Sequence, residues 1–576
     1  MTILLDEAVP RTLERLVRRL PDEAPRGARV EAWVFEDAAH RRAAERALAG
    51  RGIVATLRSA YKPLVHFFLE EVPLPSLRRV GVWYPVHEHA DPARFLLEAY
   101  PLAALLRGVE ARFVPGDAGL HYRVELEHRN GATETHRVFA PNRPREDHTG
   151  EAVLAPTGWL RIHGPRAVDE AIETEYEAIF RRVLEVVRGH PWGTPEPYFE
   201  RLVVRAEIPG ADERLGYGHE CLSLAEALHE DLYFSLLEAF TQRGGRALDD
   251  RTARPGQIVP EVRYAEASPR VTVALEASEN GEPARPWCAL ETADRPLSLA
   301  QVSAELRALG GRVLRAWSRQ GRVVAGVYRP GARPAILITA GQHGNEPSGV
   351  VGALRAARRL AARPDAHFAV IPVENPDGYA LHARLSLAHP CHMHHAGRYT
   401  AFGDDVGARD REPWFETAAR VEARRLSGAT LHLNLHGYPA HEWTRPLTGY
   451  LPRGFPLWAI PKGFFLIVRH HAAWAERAAA FLAQLTERLG RLPDLVRFNR
   501  AQLETYRAHA GALAFPVYHD VPCQMIADDR MPVPLTVITE FPDETVYGEL
   551  FVLAHTVQMH AALAAEDLHA ALARSA

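Results

Sequence analysis

Three segments in the second half of this 576-residue chain join an apolar run to side chains able to hold a cation or carry a proton. ILITAGQHGNEPSG carries His343 and Glu346, LHLNLHGYPAHEW carries His436, and LTVITEFPDET carries Glu540. Zinc takes imidazole and carboxylate ligands, and its catalytic sites keep one position open beside three protein ligands. Two ligands three residues apart on a strand-to-helix turn can converge on one ion, and the third must come from elsewhere. His436, at the end of another apolar run, is in the matching place. A remaining carboxylate beside the ion then takes the proton of a water whose pKa zinc lowers to roughly 7. A lone His-x-x-Glu is weak evidence. The setting strengthens this one: Gly341, Gly344 and Gly349 permit a tight loop, and Ser348 is placed to cap the next helix.

The elements around these segments read as an α/β domain over 298–576. A helix is expected over 299–309, paired strands over 313–317 and 323–328, and a buried strand over 335–339. The polar loop 341–345 leads into a helix from 348 to about 362, followed by a buried strand over 368–373. Apolar strands alternating with helices predict a mixed, mostly parallel sheet flanked by helices, with ligands at the carboxyl ends of the strands. A final helix over 548–572 packs on this sheet. The first 297 residues read as α+β: helices over 9–20 and 38–48, strands over 30–35 and 80–84, and a hairpin over 121–139 turning at Asn130-Gly131. A linker is expected over 156–165. Beyond it come helices over 168–187 and 222–240 and a strand over 271–275, then a boundary marked by Pro283, Pro286 and Pro296. The expected units are therefore 1–165, 166–297 and 298–576.

Composition narrows the function classes. Apolar residues make up 47% and charged residues 24%, as in a soluble globular protein. A net charge of −4 argues against a broad basic face for nucleic acid. Four scattered cysteines with no CxxC pair fit a reducing compartment. No apolar run approaches the length of a membrane span, and Asp6 and Glu7 interrupt any signal-like core, so the cytoplasm is the expected location. Neither a nucleic acid nor a membrane is an expected partner, and nothing in the sequence sets the oligomeric state.

The ordered set GQHGNEPSG, VENPDGY, NLHGYP and TEFP resembles the zinc carboxypeptidase (carboxypeptidase A-like) family and its succinylglutamate desuccinylase and aspartoacylase relatives. SRQGRVVAGVY is similar to that family's opening hairpin. The resemblance covers about 298–576. It implies a zinc hydrolase cleaving an amide bond of a peptide or an N-acyl amino acid, with His343, Glu346 and His436 on the metal and Glu540 as general base and proton shuttle. It implies that 375–378 form a structural turn. It also implies an arginine on the scissile carbonyl, with Arg384 favoured and Arg398 the other candidate, and a second arginine gripping a substrate carboxylate, for which Arg398 is the match. The Asn that precedes the latter in the family is replaced by Gly397. Tyr518 is a loose match for the family's mobile tyrosine.

Other readings stand beside this one. The four histidines of 389–395 could bind a second metal, but are expected to line a pocket mouth with several of them solvated. Glu442 is a rival general base. All but two of the 68 basic residues are arginine, and Lys462, one of the exceptions, is expected to be an ordinary surface lysine. A non-catalytic binding protein built on a degraded hydrolase fold is the alternative of a different class.

Overall fold

The central strands of the C-terminal half are apolar on both faces, which buries them between layers. Ile336–Ala340 and Leu431–Tyr438 are buried at every position. In the computed structural model, which describes residues 1–24, 26–164 and 167–574, they belong to a nine-stranded sheet. Its order is Arg312–Trp317, Val323–Arg329, Phe368–Ile371, Ile336–Ala340, Leu431–Tyr438, Leu535–Pro542, Phe465–His470, Val521–Ala527 and Val517–Tyr518. The four strands from Phe368–Ile371 to Leu535–Pro542 are mutually parallel, and the first two pairings and the last are antiparallel. Phe465–His470 runs antiparallel to Leu535–Pro542 and parallel to Val521–Ala527. The fold is thus a mixed α/β sheet flanked by helices.

One face is covered by Leu299–Leu309, Ser348–Ala361, Ala475–Leu489 and the long C-terminal helix Gly548–Arg574, whose apolar residues join Ile336, Ile338, Leu433 and Val537 in one core. On the other face Ala419 and Ala423 of the helix Ala418–Ser427, four residues apart, pack on Leu314, Leu337 and Ile371. The expected capping by Ser348 does not occur. Ser348 starts the helix, and its backbone N–H donates to Asp543 Oδ2 at 2.7 Å, so the cap comes from the loop after Glu540.

The N-terminal half differs from its expected layout in two places. The 156–165 segment contains no linker among its described residues: Ala152–Pro156 and Gly158–His163 are strands, with Leu160 and Ile162 in a core. The helix expected from 168 starts later, because Val168–Ile172 pairs with Gly158–His163 and the helix Glu175–Gly189 begins only after a capping box at Thr174 and Glu177. The boundary at 165 and 166 lies outside the described residues. Thr2–Ala8 pairs with Arg270–Glu276, so the first and last strands of 1–297 are neighbours in one sheet. The helix Leu224–Arg243 is buried on almost all sides, against Trp443, Leu447, Met393 and Tyr399 of the other half. Among the described residues no helix is long and apolar enough to cross a membrane.

Candidate metal centre

Three loops meet at the carboxyl ends of the central parallel strands. Gly341, with φ +56°, turns the chain out of Ile336–Ala340. At Gly344 a Cβ would lie 2.2 Å from the Gly378 backbone, and Gly344 N–H donates to Gly397 O at 3.1 Å. Only glycine allows these three chains to touch, and their contact fixes the loop holding His343 and Glu346. His343 Nδ1 lies 2.6 Å from Glu346 Oε1, and His436 Nδ1 lies 2.8 Å from Glu346 Oε2. The two Nδ1 atoms are 3.2 Å apart. Tetrahedral zinc with bonds near 2.0–2.1 Å separates its ligands by about 3.3 Å. The donor types and the facing nitrogens fit zinc. Outside them, Asp405 Oδ2 stands 3.4 Å from His343 Nε2, where it can hold the orientation of that ring.

Charge is concentrated here away from water. Burial works against ionisation of Glu346, yet the His343 and His436 imidazoles hold its carboxyl well below the usual range. Glu540 faces His436 across adjacent parallel strands, in register, so both side chains project from the same face. Burial and the neighbouring Glu346 charge raise the Glu540 carboxyl well above its ordinary value, with Arg398 and Lys462 opposing. Lys462 is not the surface lysine expected. It is fully buried, its Nζ lies 4.2 Å from the Trp458 ring centre and donates to Leu457 O at 2.8 Å, and burial lowers its pKa to about 7.

The structure brings His343, Glu346, His436, Glu540 and Arg398 together. Arg398 Nη1 donates to Glu346 Oε1 at 3.0 Å, Asn375 Nδ2 holds the Arg398 carbonyl at 3.1 Å, and the 375–378 segment expected as a turn opens the helix Pro376–Leu385 with Asn375 as its cap. Arg384, the favoured carbonyl arginine, is elsewhere: it pairs with Glu279 and sits among Arg201, Arg205 and Glu261. It follows the turn by one helix, and that helix, Pro376–Leu385, carries its side chain off toward the N-terminal sheet. Tyr518 is 48% exposed on the outermost strand, three strands from Glu540's, and joins no part of the cluster. Glu442 is committed to Lys62 Nζ at 2.5 Å. The expected solvated histidines are mostly buried: His392, His394 and His395 are all inside, and only His389 is partly open.

Sequence reasoning missed several groups around the site. Asp405 lies in irregular chain with no motif. Arg251, whose side chain is 44% exposed, approaches Asp405 Oδ2 at 3.8 Å from the N-terminal half. Glu544 lies four residues past Glu540, in the same segment. It is buried, with both oxygens lacking hydrogen-bond partners and His395 Nε2 at 3.6 Å.

No protein-family model and no curated protein matches the chain. Among solved structures it is similar to a metallo-carboxypeptidase from Burkholderia cenocepacia, at 15% identity and a TM-score of 0.29, over 54% of this chain and 73% of that one. A metallo-carboxypeptidase from Pseudomonas aeruginosa in complex with (2-guanidinoethylmercapto)succinic acid matches at 15% identity and 0.29, over 53% and 72%. Carboxypeptidase A from Helicoverpa armigera matches at 12% identity and 0.30, over 59% and 95%.

Proposed function

We propose that this protein is a zinc-dependent hydrolase that cleaves an amide bond, acting as a carboxypeptidase-like metallopeptidase. The observation that carries this reading is the convergence of His343 Nδ1, His436 Nδ1 and the Glu346 carboxylate within 3.2 Å of one another. Zinc held by these three groups supplies a Lewis acid and lowers the pKa of water. Glu540, whose carboxyl burial and the Glu346 charge raise well above its ordinary value, accepts the proton from the attacking water on a carboxylate oxygen and returns it to the leaving amine. Arg398 presents Nη1 to the site from the side of Glu346 and steadies the charge that develops on the carbonyl oxygen. Asp405 orients His343 and keeps its tautomer fixed. Arg251, half exposed beside Asp405, receives an anionic end of the substrate.

A second reading, hydrolysis of N-acyl amino acids, is favoured by Gly397. A Cβ there would meet His382 Cβ at 2.9 Å and Gly378 O at 3.1 Å, so the family's Asn–Arg pair for a terminal carboxylate does not fit this packing. Arg398, the match for the carboxylate grip, is turned onto Glu346 instead, which supports a grip built differently here. The test is a substrate panel on zinc-loaded protein. Release of C-terminal residues from peptides supports the first reading, and release of acyl groups from N-acyl amino acids the second. No turnover, with no zinc retained after reloading, returns the protein to a binding or scaffold role.

A further inference from the structure

The four histidines of 389–395 were expected to line a pocket mouth with several of them solvated, and the burial of His392, His394 and His395 calls for another account. His392 Nε2 lies 2.9 Å from Asp212 Oδ2 and 3.0 Å from Ser223 Oγ. The His389 ring stacks on that of His392, with centres 4.3 Å apart and planes within 6°. His389 Nε2 is buried and has no hydrogen-bond partner among the described residues. One donor atom from each of Asp212, His389 and His392 falls within a 4.8 Å span. We propose that these three residues form a second divalent-cation site, separate from the first and structural in role.

Two imidazoles and one carboxylate are donors that suit zinc and its first-row neighbours, not magnesium or calcium, which prefer all-oxygen shells. The donor atoms span up to 4.8 Å, against about 3.3 Å between the ligands of a tetrahedral zinc ion, so binding requires the His389 ring to turn out of its stack on His392. A cation also gives His389 Nε2 the partner it lacks, where an ordinary Asp212–His392 hydrogen bond leaves it stranded. Outer support is in place: Ser223 Oγ lies 3.3 Å from Tyr264 Oη, and both hydroxyls approach the Asp212 carboxylate. Asp212 is at the protein surface and His392 is buried, so the site opens to solvent on one side. Water fills the remaining position, as the three protein ligands leave one open.

The placement gives the site its role. Asp212 belongs to the N-terminal half, on the loop after the strand Arg201–Ile208, and the histidines belong to the other half. Their loop runs from the helix Pro376–Leu385 to Arg398, whose guanidinium meets Glu346. A cation bound between them ties the two halves together six residues before Arg398.

The experiment counts metal in the full-length protein after chelator stripping, reloading with zinc and dialysis. Wild type is expected to hold about two zinc ions per chain, Asp212→Asn/His389→Asn one fewer, and His436→Ala one. Zinc should also raise the melting temperature of His436→Ala and leave that of a triple variant unchanged. Equal metal in wild type and Asp212→Asn/His389→Asn, with none in His436→Ala, overturns the proposal. If the first site alone fails, wild type holds one ion and Asp212→Asn/His389→Asn none, so the two readings fail separately. Far-UV circular dichroism in chelator confirms folding of each variant, and His392→Gln, tested alone, must lose the same ion.

Discussion

Glu540 and Glu544 are both buried, both near Glu346, and both pushed up by burial. Access separates them. Glu544's oxygens are sealed from solvent, whereas Glu540 keeps 8% exposure on the strand beside His436. A group that hands protons to substrate needs that opening. Glu540→Gln is therefore expected to keep its metal and lose about 10²- to 10⁴-fold in kcat; unchanged turnover removes it from the proton path. The arginines divide in the same way. Arg398→Ala should cost about 10²-fold in kcat, the scale of a lost oxyanion donor, and Arg384→Ala, committed to Glu279, should leave turnover near wild type. Arg251→Ala should raise KM for carboxylate-bearing substrates more than it lowers kcat, because it acts on the bound end and not on the reacting bond. The reach of sequence reasoning follows the same geometry. His343, Glu346, His436 and Glu540 end apolar strands, and a strand end has a fixed address at the sheet's edge. Arg251 and Asp405 sit in irregular chain, where spacing carries no position, and the choice between Arg384 and Arg398 depended on which way one helix turns its side chain.

At the scale of elements, the helix Leu224–Arg243 has the most consequence for the site. Its length was readable from the sequence, which placed it over 222–240; Ser223, expected inside it, is its cap. Its burial was not, because the partners of Glu226, Glu230 and Glu238 lie more than 150 residues away. Glu226 accepts from His441 Nε2 at 2.9 Å, Glu230 contacts His395 Nδ1 at 2.6 Å, and Glu238 holds Arg445 Nη1 at 2.6 Å. These glutamates would look like the solvated face of an amphipathic helix; instead Glu226 and Glu238 pair with the cationic His441 and Arg445, and Glu230 meets His395, whose imidazole burial holds well below its ordinary value. Burial opposes the His441 charge, but Glu226 overrides it and raises the imidazole to about 9. A folded pKa above the unfolded value of about 6.5 stabilises the fold fully below pH 6.5, and the contribution is lost as pH climbs through 9. Glu226 is held below its ordinary value, so at the acid end the same pair weakens as pH falls below about 4.5. Denaturant midpoints should thus separate wild type from His441→Gln by about 3 kcal/mol near pH 6. The gap should shrink steadily toward pH 9.5, and a gap independent of pH would show that the pair is not an ion pair.

At the scale of the whole molecule, three units were expected and the contacts run across both boundaries. Thr2–Ala8 and Arg270–Glu276 share a sheet, and the core around Leu232 and Phe234 takes in Trp443 and Leu447. Polar contacts follow the same seam. Lys62 meets Glu442, Asp231 accepts from Leu447 N–H at 2.8 Å, and Arg145 meets the Leu447 carbonyl. Cutting the chain at 297 would therefore strip His395, His441 and Arg445 of Glu230, Glu226 and Glu238 and expose the apolar surface that covered Trp443. Each broken buried ion pair, Glu226–His441 and Glu238–Arg445, costs about 3–5 kcal/mol, and the two together reach the scale of a whole domain's stability of about 5–15 kcal/mol. The fragment 298–576 is accordingly expected to unfold without cooperativity and to lose protection from hydrogen exchange first in the 440–450 segment, even though it contains every proposed ligand of the first metal site. Circular dichroism melts and exchange on the fragment check this. A sharp transition with zinc still bound would mean that the N-terminal half covers the catalytic-type domain without holding it together, and that Arg251 is its main contribution to the site.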